Sequence, residues 1–195
     1  MARSKSRTSK VSVADLVTQL GRYAYGKASA AWPLTPAQWT ALRYFSRANR
    51  FSRTASAFSE FHATTRGTAS QIIKSLVEEG YLERMPYPSD GRSSRLDVTP
   101  KAAEILTDDP FHRLTRAADS LSATAWHNLT RGLEQMLGQL AHELKKPAFG
   151  ICVQCRHLYG NRCGPRSQPS YSCTLFNEPL AETEIEKLCL NFESS

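Results

Sequence analysis

The position of the cysteines divides this chain of 195 residues into two parts. All five cysteines lie in the last 44 positions, from Cys152 onward, and none occurs earlier. Between Cys155 and Cys173 there are few aliphatic residues, and glycines and prolines interrupt any regular structure. Such a segment buries too little apolar surface to offset its loss of conformational entropy, so a cross-link is expected to hold it together.

The compartment decides what kind of cross-link is expected. A basic start, MARSKSRTSK, is followed by no apolar run of the kind found in signal peptides, and no stretch approaches the roughly 18 apolar residues of a membrane span. We therefore expect a cytoplasmic protein without membrane contact. Thiols are kept reduced there, so a cysteine cluster more often binds metal than forms disulfides.

Charge is distributed as unevenly as cysteine. The net charge is +7, but residues 1–74 contain 12 basic and 2 acidic side chains, whereas residues 178–195 contain 1 basic and 5 acidic side chains. Apolar residues make up 41% of the chain and charged residues 22%, which is typical of folded globular proteins. The cationic half is expected to meet a polyanion such as nucleic acid.

Helical periodicity and capping residues predict most of the first 146 residues. Apolar residues recur at helical spacing from Val13 and the pattern stops before Pro33, which predicts a first helix of about five turns. Thr35-Pro36 predicts the start of a second helix, and residues 53–60 fit a short third one. A fourth helix is capped by Thr64 or Thr65 and ends at Gly80.

Two further patterns follow the fourth helix. YLERM and SRLDV flank PYPSDG, which predicts a β-hairpin, and Thr99-Pro100 predicts the start of another helix. Residues 122–144 predict a long helix with a nearly continuous apolar seam. The seam consists of Trp126, Leu129, Leu133, Met136, Leu137, Leu140 and Leu144. It is too long to be buried within a small lobe, which indicates a partner helix.

The fourth helix has the side chains of a helix that reads the major groove. Ile72, Ile73 and Leu76 are expected to face inward. The outer face then presents short hydroxyls, an amide and cations: Thr65, Arg66, Thr68, Ser70, Gln71 and Lys74. On the hairpin, Arg84, Arg92 and Arg95 are placed to reach backbone phosphates or a neighbouring minor groove.

The stretches LTPAQWTALRYF, TRGTASQIIKSLVEEGYLER and PSDGRSSRLDVTPKA, in this order and spacing, resemble the multiple-antibiotic-resistance regulator (MarR) family of bacterial transcription factors. The resemblance spans roughly residues 13–145. It implies a mainly α fold with a small β-hairpin wing, that is, a winged helix-turn-helix with long terminal dimerisation helices. The predicted organisation is a basic flexible arm (1–12), the winged-helix and dimerisation domain (13–146) and an irregular Cys-rich segment (147–195).

The resemblance also implies a homodimer in which each lobe reads one half of a palindromic operator in double-stranded DNA. By motif position, Arg66, Thr68, Ser70 and Gln71 approach bases, while Asp90 and Arg92 shape the wing tip. Asp90 is expected to orient Arg92 rather than touch DNA, because phosphate repels a carboxylate. The arm at residues 1–12 either adds phosphate contacts or is a solubilising tail.

The cysteine spacing is C-x2-C-x7-C-x9-C-x15-C, with only one close pair. Zinc ribbons usually have two close pairs, whereas an iron-sulfur cluster is ligated at separate corners. Without Cys163 the order CVQC, SCTLF, LCLNF resembles the cluster-binding half of high-potential iron-sulfur proteins, although it lacks their last tryptophan. This resemblance implies a 4Fe-4S cluster on Cys152, Cys155, Cys173 and Cys189, shielded by Leu175, Phe176 and Phe192.

Two alternatives stay open for this segment. Cys163 is a replacement ligand, a redox thiol or a spare residue, and a structural zinc site is the alternative to the cluster. The leading hypothesis is a dimeric repressor whose cluster senses redox state, nitric oxide or iron, and the alternative is a DNA-binding regulator with a zinc-stapled tail used for stability or protein interaction. No catalytic constellation is found, so an enzyme is not expected.

Because the segment follows the end of the long helix at Leu144 so closely, ordering or losing the cluster is expected to tilt the two DNA-reading lobes. Such coupling requires that the two states differ in their contacts with the cofactor.

Overall fold

We describe the protein from a computed structural model over residues 11–24, 33–87, 90–147, 149–161 and 170–194, without the side chains of residues 87, 90–93, 161 and 170. These parts contain the α-helices α1 (Val13–Ala24), α2 (Pro36–Arg47), α3 (Ala55–Phe61), α4 (Arg66–Glu78), α5 (Pro100–Ile105), α6 (His112–Asp119) and α7 (Ala123–Leu144). The strands are β1 (Leu82–Tyr87), β2 (Asp90–Val98), β3 (Gly150–Ile151), β4 (Leu158–Asn161), β5 (Ser170–Cys173), β6 (Glu178–Leu180) and β7 (Leu188–Cys189).

Side-chain caps start the helices of the winged lobe. The hydroxyls of Thr35, Thr54, Thr65, Thr99 and Ser122 each accept a hydrogen bond from the backbone N–H three residues later. Each bond satisfies a donor that the first helical turn leaves free. The predicted caps are therefore confirmed, with Thr65 rather than Thr64 at α4, and Gly80 follows α4 with a φ of 76°.

One helix prediction is tested only in part, and one helix was not predicted. The described part of α1 has 12 residues, and the rest of the predicted five-turn helix lies in residues outside the description. Helix α6 was not predicted; its apolar residues Leu114, Ala117 and Ala118 have helical spacing, but the segment is only 8 residues long.

The core of the lobe lies between α2, α3, α4 and the wing. Its largest fully buried apolar side chains are Leu42, Phe45, Phe58, Ile73, Leu76, Leu82 and Leu96. β1 and β2 pair antiparallel, with Leu82 opposite Val98 and Arg84 opposite Leu96. A polar link fixes α4 on α2, because the Gln38 side-chain amide donates to Ser75 and to Glu79, both at 2.7 Å. The winged helix-turn-helix is thus confirmed as the fold of this lobe.

The chain reverses where α7 ends. Lys145, the residue after the helix, adopts a left-handed conformation with φ 51° and ψ 43°, and its N–H bonds back to α7. Past this reversal, the Lys146 ammonium lies 3.1 Å from the Glu60 carboxylate of α3, and the Phe149 ring packs on Phe61 with 4.6 Å between centroids. The last part of the chain therefore returns to its own winged lobe.

The cysteine segment forms two small antiparallel sheets rather than a wholly irregular tail. One sheet pairs β3 with β7, and the other has the order β4-β5-β6. A second hydrophobic core consists of Phe51, Cys152, Leu180, Ile185 and Cys189. The first sheet has only two residue pairs, and strands this short leave no clear alternating pattern in the sequence.

Among the described residues, no helix is both long and apolar enough to cross a bilayer.

The burial of His62 makes the free energy of unfolding of the winged lobe depend on pH. Its ring packs on Phe58 and Phe61, with 4.8 Å between centroids in both pairs. Burial, followed by the charge of Arg43, lowers the pKa of His62 from 6.5 to about 4. Between these two values the unfolded chain binds a proton that the folded chain does not bind.

We therefore expect the free energy of unfolding to fall as the pH drops from 6.5 to about 4, and His62→Gln to remove part of that dependence. The measurement is urea unfolding at several pH values. His112→Gln, at the exposed start of α6, is the control and should leave the slope unchanged. Equal slopes for wild type and His62→Gln would contradict the expectation.

Candidate DNA-binding face and cysteine pocket

Helix α4 is held so that its polar face points outward. Ala69, Ile73 and Leu76 are fully buried and fix the inner face. Ile72, predicted to face inward, is partly buried. At the N-terminus the Thr65 hydroxyl accepts from the Thr68 N–H at 3.1 Å. These contacts set the rotation of the helix about its own axis.

Every residue predicted for the outer face of α4 is exposed. These are Thr65, Arg66, Thr68, Ser70, Gln71 and Lys74. The hydroxyls of Thr65 and Thr68 lie 2.9 Å apart, and the Lys74 ammonium lies 3.7 Å from Glu78. The first turn and a half of α4 therefore presents hydroxyls, an amide and a guanidinium at one end of the lobe.

The predicted cations of the wing differ in their exposure and in their partners. Arg84 is exposed on β1 and donates to the Ser94 hydroxyl at 3.3 Å. Arg95 is less exposed and donates twice to one oxygen of Asp97, at 2.7 and 3.1 Å. The backbone of Asp90 and Arg92 lies in β2, but their side chains are outside the description. Of the described cations of the wing, Arg84 is the one better placed to meet a phosphate.

The four cysteines predicted as ligands line one pocket. Cys152 and Cys155 lie at the two ends of a single tight turn, in which the Cys155 N–H donates to the Cys152 carbonyl at 2.9 Å. Cys173 ends β5 and Cys189 ends β7. All four contribute to the wall of the same pocket. Cys163 lies outside the described residues.

The apolar residues predicted to shield the site, Leu175, Phe176 and Phe192, have two different places. Leu175 and Phe176 line the pocket, and Phe176 stacks on Phe51 with 4.2 Å between centroids. Phe192 packs instead in the second core, against Gly150, where an added Cβ would lie 2.8 Å from the ring. His157 also lines the pocket and its Nε2 lies 3.2 Å from a Glu193 oxygen.

The sulfur atoms differ in their surroundings. Cys152 and Cys189 are buried, whereas Cys155 and Cys173 are partly exposed. A hydrogen bond from the Cys152 thiol lowers the pKa of Cys189, and donors on Asn49, Asn191 and Ser52 act in the same direction against the cost of burial. The same sulfur-to-sulfur bond and burial raise the pKa of Cys152. The pair therefore favours a thiolate at Cys189.

The donor set of the pocket consists of four thiols, two of which, Cys152 and Cys189, hydrogen-bond to each other. Within the described residues, no three His, Cys, Asp or Glu side chains are close enough together to hold a single metal ion. Four thiolates around one zinc ion would each lie about 2.3 Å from it. A 4Fe-4S cluster also takes four thiolates, one at each of its corners, so the all-cysteine donor set of the pocket is chemically suited to either group.

Sequence reasoning missed the contribution of the winged lobe to this pocket. Asn49, on the turn between α2 and α3, is fully buried, lines the pocket, and donates from Nδ2 to the Cys152 sulfur at 3.4 Å. Asn49 and Cys152 are 103 positions apart, and the only sequence signal is a polar residue in a short turn.

Comparisons with known proteins concern the winged lobe. Residues 32–93 match a family model described as MarR family. The chain is similar to a MarR transcriptional regulator from Methanosarcina mazei Go1, with a TM-score of 0.53 and 22% identity, covering 65% of this chain and 94% of that one. No curated protein matches the chain.

Two further solved structures are similar. The transcriptional regulator SlyA has a TM-score of 0.57 and 19% identity, covering 69% of this chain and 98% of that one. MepR of S. aureus, solved in a complex with DNA, has a TM-score of 0.55 and 16% identity, covering 67% of this chain and 99% of that one. Together with the family match, these similarities support a winged helix of the MarR type.

Proposed function

We propose that this chain is a DNA-binding transcription regulator of the MarR type, rather than an enzyme, and that it acts as a repressor. The observation that carries the proposal is the outer face of α4, where Thr65, Arg66, Thr68, Ser70 and Gln71 are all exposed at the start of a capped helix. Hydroxyl, amide and guanidinium groups are the donors and acceptors that read base edges in the major groove. The similarity to MepR, a protein solved on DNA, supports this use of the fold.

The exposed apolar side chains of the terminal helices support a homodimer. On α7, six seam residues are between 38% and 62% exposed: Trp126, Leu129, Met136, Leu137, Leu140 and Leu144. On α1, Val13, Leu16, Val17 and Leu20 are between 41% and 55% exposed. A contiguous apolar surface of this kind usually marks an interface. Two lobes related by a two-fold axis would then read the two halves of a palindromic operator.

The pocket formed by Cys152, Cys155, Cys173 and Cys189 is proposed to hold a 4Fe-4S cluster. The donor set consists entirely of thiols, two of them buried and held by hydrogen bonds. When bound, such a cluster supplies one-electron redox chemistry and a target for oxidants and nitric oxide. The residues of the pocket hold the ligands, and Leu175 and Phe176 restrict the access of solvent. Loss or oxidation of the cofactor would then change the affinity for DNA.

The DNA-binding proposal predicts that Arg66→Ala weakens operator binding by about 5- to 150-fold, the cost of losing a good base contact. If Arg66 instead contacts a phosphate, the slope of log affinity against log salt falls by about 0.9. Gel shifts at several salt concentrations measure both effects.

The matched control is Lys101→Ala, which removes one positive charge at the opposite end of α4, where the ammonium bonds to the Glu79 carbonyl at 2.7 Å. Binding that responds equally to both substitutions, or to neither, would contradict the assignment of α4.

The dimer proposal predicts that Leu137→Glu gives a monomer, because a buried unpaired carboxylate is costly at an apolar interface. Light scattering measures the mass. Gln135→Glu adds the same charge on the opposite side of α7, at 3.6 residues per turn, and should leave the mass unchanged. A monomeric wild type, or a Leu137→Glu dimer, would refute the proposal.

The cluster proposal predicts that protein purified without oxygen carries about four iron and four sulfide ions per chain and absorbs visible light. Cys155→Ser and Cys173→Ser should lower the iron content, and Cys163→Ser should retain it. Analysis of metal and sulfide content distinguishes the cluster from the zinc alternative. Colourless protein with one zinc ion per chain and no sulfide would replace the cluster by the structural zinc alternative, and iron loss in Cys163→Ser would revise the ligand set.

A further inference from the structure

The turn between α2 and α3, residues 48–53, is the place where the cysteine segment docks on the winged lobe; we refer to it as the docking turn. Strand β7 lies directly against it. The Asn49 N–H donates to the Leu188 carbonyl at 2.8 Å, and the Leu190 N–H donates to the Ser52 hydroxyl at 2.9 Å. Ala48 and Leu188 form an isolated parallel bridge. The docking turn therefore acts as an edge to which a strand of the other part of the chain is added.

The Asn49 side chain joins the docking turn to the pocket. Its carbonyl oxygen accepts from the Ser52 N–H at 3.0 Å, which closes the turn, while its amide nitrogen donates to the Cys152 sulfur at 3.4 Å. The Ser52 hydroxyl lowers the pKa of the Cys189 thiol, and the Ser52 carbonyl accepts from the Tyr44 hydroxyl at 2.7 Å in the core. Two residues of the winged lobe, Asn49 and Ser52, thus act on two of the proposed ligands.

The other end of the docking turn leads to the wing and to α3. The Arg53 carbonyl accepts from the Leu96 N–H of β2 at 2.8 Å, and the Arg53 guanidinium pairs with Asp97 at 2.8 Å. The next residue, Thr54, caps α3 through the Ala57 N–H at 3.1 Å. A shift of the docking turn would therefore move the base of the wing and the start of α3 together.

Charge and stacking hold the cysteine segment on the same turn. The Arg50 guanidinium lies 3.0 Å from Glu178 and 3.5 Å from Glu184, and it donates to the Pro179 carbonyl. The neighbouring Phe51 belongs to the core of the cysteine segment. Several acidic and apolar groups of the last part of the chain thus depend on how this turn is placed.

We infer that Asn49 is a positioning residue for the cysteine pocket, and that the DNA-reading lobe senses the state of the pocket through Asn49 and the docking turn. This inference rests on the proposed function. The connection between the cofactor and the DNA-reading lobe then runs through Asn49 and does not require a change at the dimer helix. When a cofactor fixes the Cys152 and Cys189 sulfurs, their donors Asn49 and Ser52 are fixed with them. When it leaves, both donors must find other partners, because a buried donor without a partner is costly.

Asn49→Asp tests the inference in the full-length chain. Aspartate keeps the oxygen that closes the turn at Ser52 but replaces the N–H donor to sulfur by an acceptor. For each protein, operator affinity is measured with the cofactor present and after its removal by a chelator. In the wild type, coupling of a typical size would make the ratio of these two affinities about 5-fold or more. In the variant we expect this ratio to fall below about 2-fold.

The reduction potential of the loaded protein gives a second readout that a merely structural role would not move. Removal of a hydrogen bond to a ligand sulfur, with an added negative charge nearby, should lower the potential. Ser52→Ala, which removes the donor to Cys189, should change the ratio and the potential in the same directions, and it replaces Asn49→Asp if that variant does not fold.

The matched control is Glu60→Gln, which breaks the ion pair with Lys146 at the other contact between the two parts of the chain. It should leave both the ratio and the potential unchanged. Loss of coupling in Glu60→Gln but not in the Asn49 and Ser52 variants would overturn the inference in favour of the dimer-helix route. A wild-type ratio of one would overturn the proposed cofactor control itself, whereas an unchanged ratio in Asn49→Asp refutes the docking-turn route alone.

Discussion

One buried amide lies between the two hydrophobic cores of this chain. Asn49 has no exposed surface, and its two polar atoms satisfy the backbone of its own turn and a sulfur of the cysteine segment. A buried amide that loses a partner costs about 1–3 kcal/mol, so each core restricts the positions available to the other. The two parts of the chain, so different in composition, are thereby made structurally dependent on one another.

The uneven charge of the sequence also leads to ion pairs within the molecule. The acidic end is drawn to the basic half within the same molecule, since Glu178 and Glu184 both approach Arg50. This removes one cation from the population free to attract phosphate, as the pairs of Asp97 with Arg53 and Arg95 remove two more. On α4, Arg66 and Lys74 are exposed, and the Lys74 ammonium lies 3.7 Å from Glu78. Intramolecular pairing therefore lowers the number of cations of the docking turn and the wing that are free to meet phosphate, and leaves Arg66 exposed on the helix proposed to read DNA.

How much of the structure followed from sequence depended on the distance over which each signal acts. The caps at Thr35, Thr65 and Thr99 and the exposed face of α4 were predicted because they need only a few neighbouring residues. The set of four cysteines was found through a resemblance, and the pocket brings them together. The docking of Asn49 against Cys152 was missed, because contacts between residues so far apart follow from tertiary packing, which leaves no local periodicity.

The reversal at Lys145 has a consequence for the number of functional states. Because the chain turns back after α7, each cysteine pocket is completed by residues of its own chain, including Asn49 of its own docking turn. The proposed dimer would then contain two pockets, each built by one chain. If each pocket holds the proposed cofactor, a half-loaded dimer exists between the empty and the full one, with one loaded and one empty DNA-reading lobe. The proposed regulator would then have three loading states rather than two.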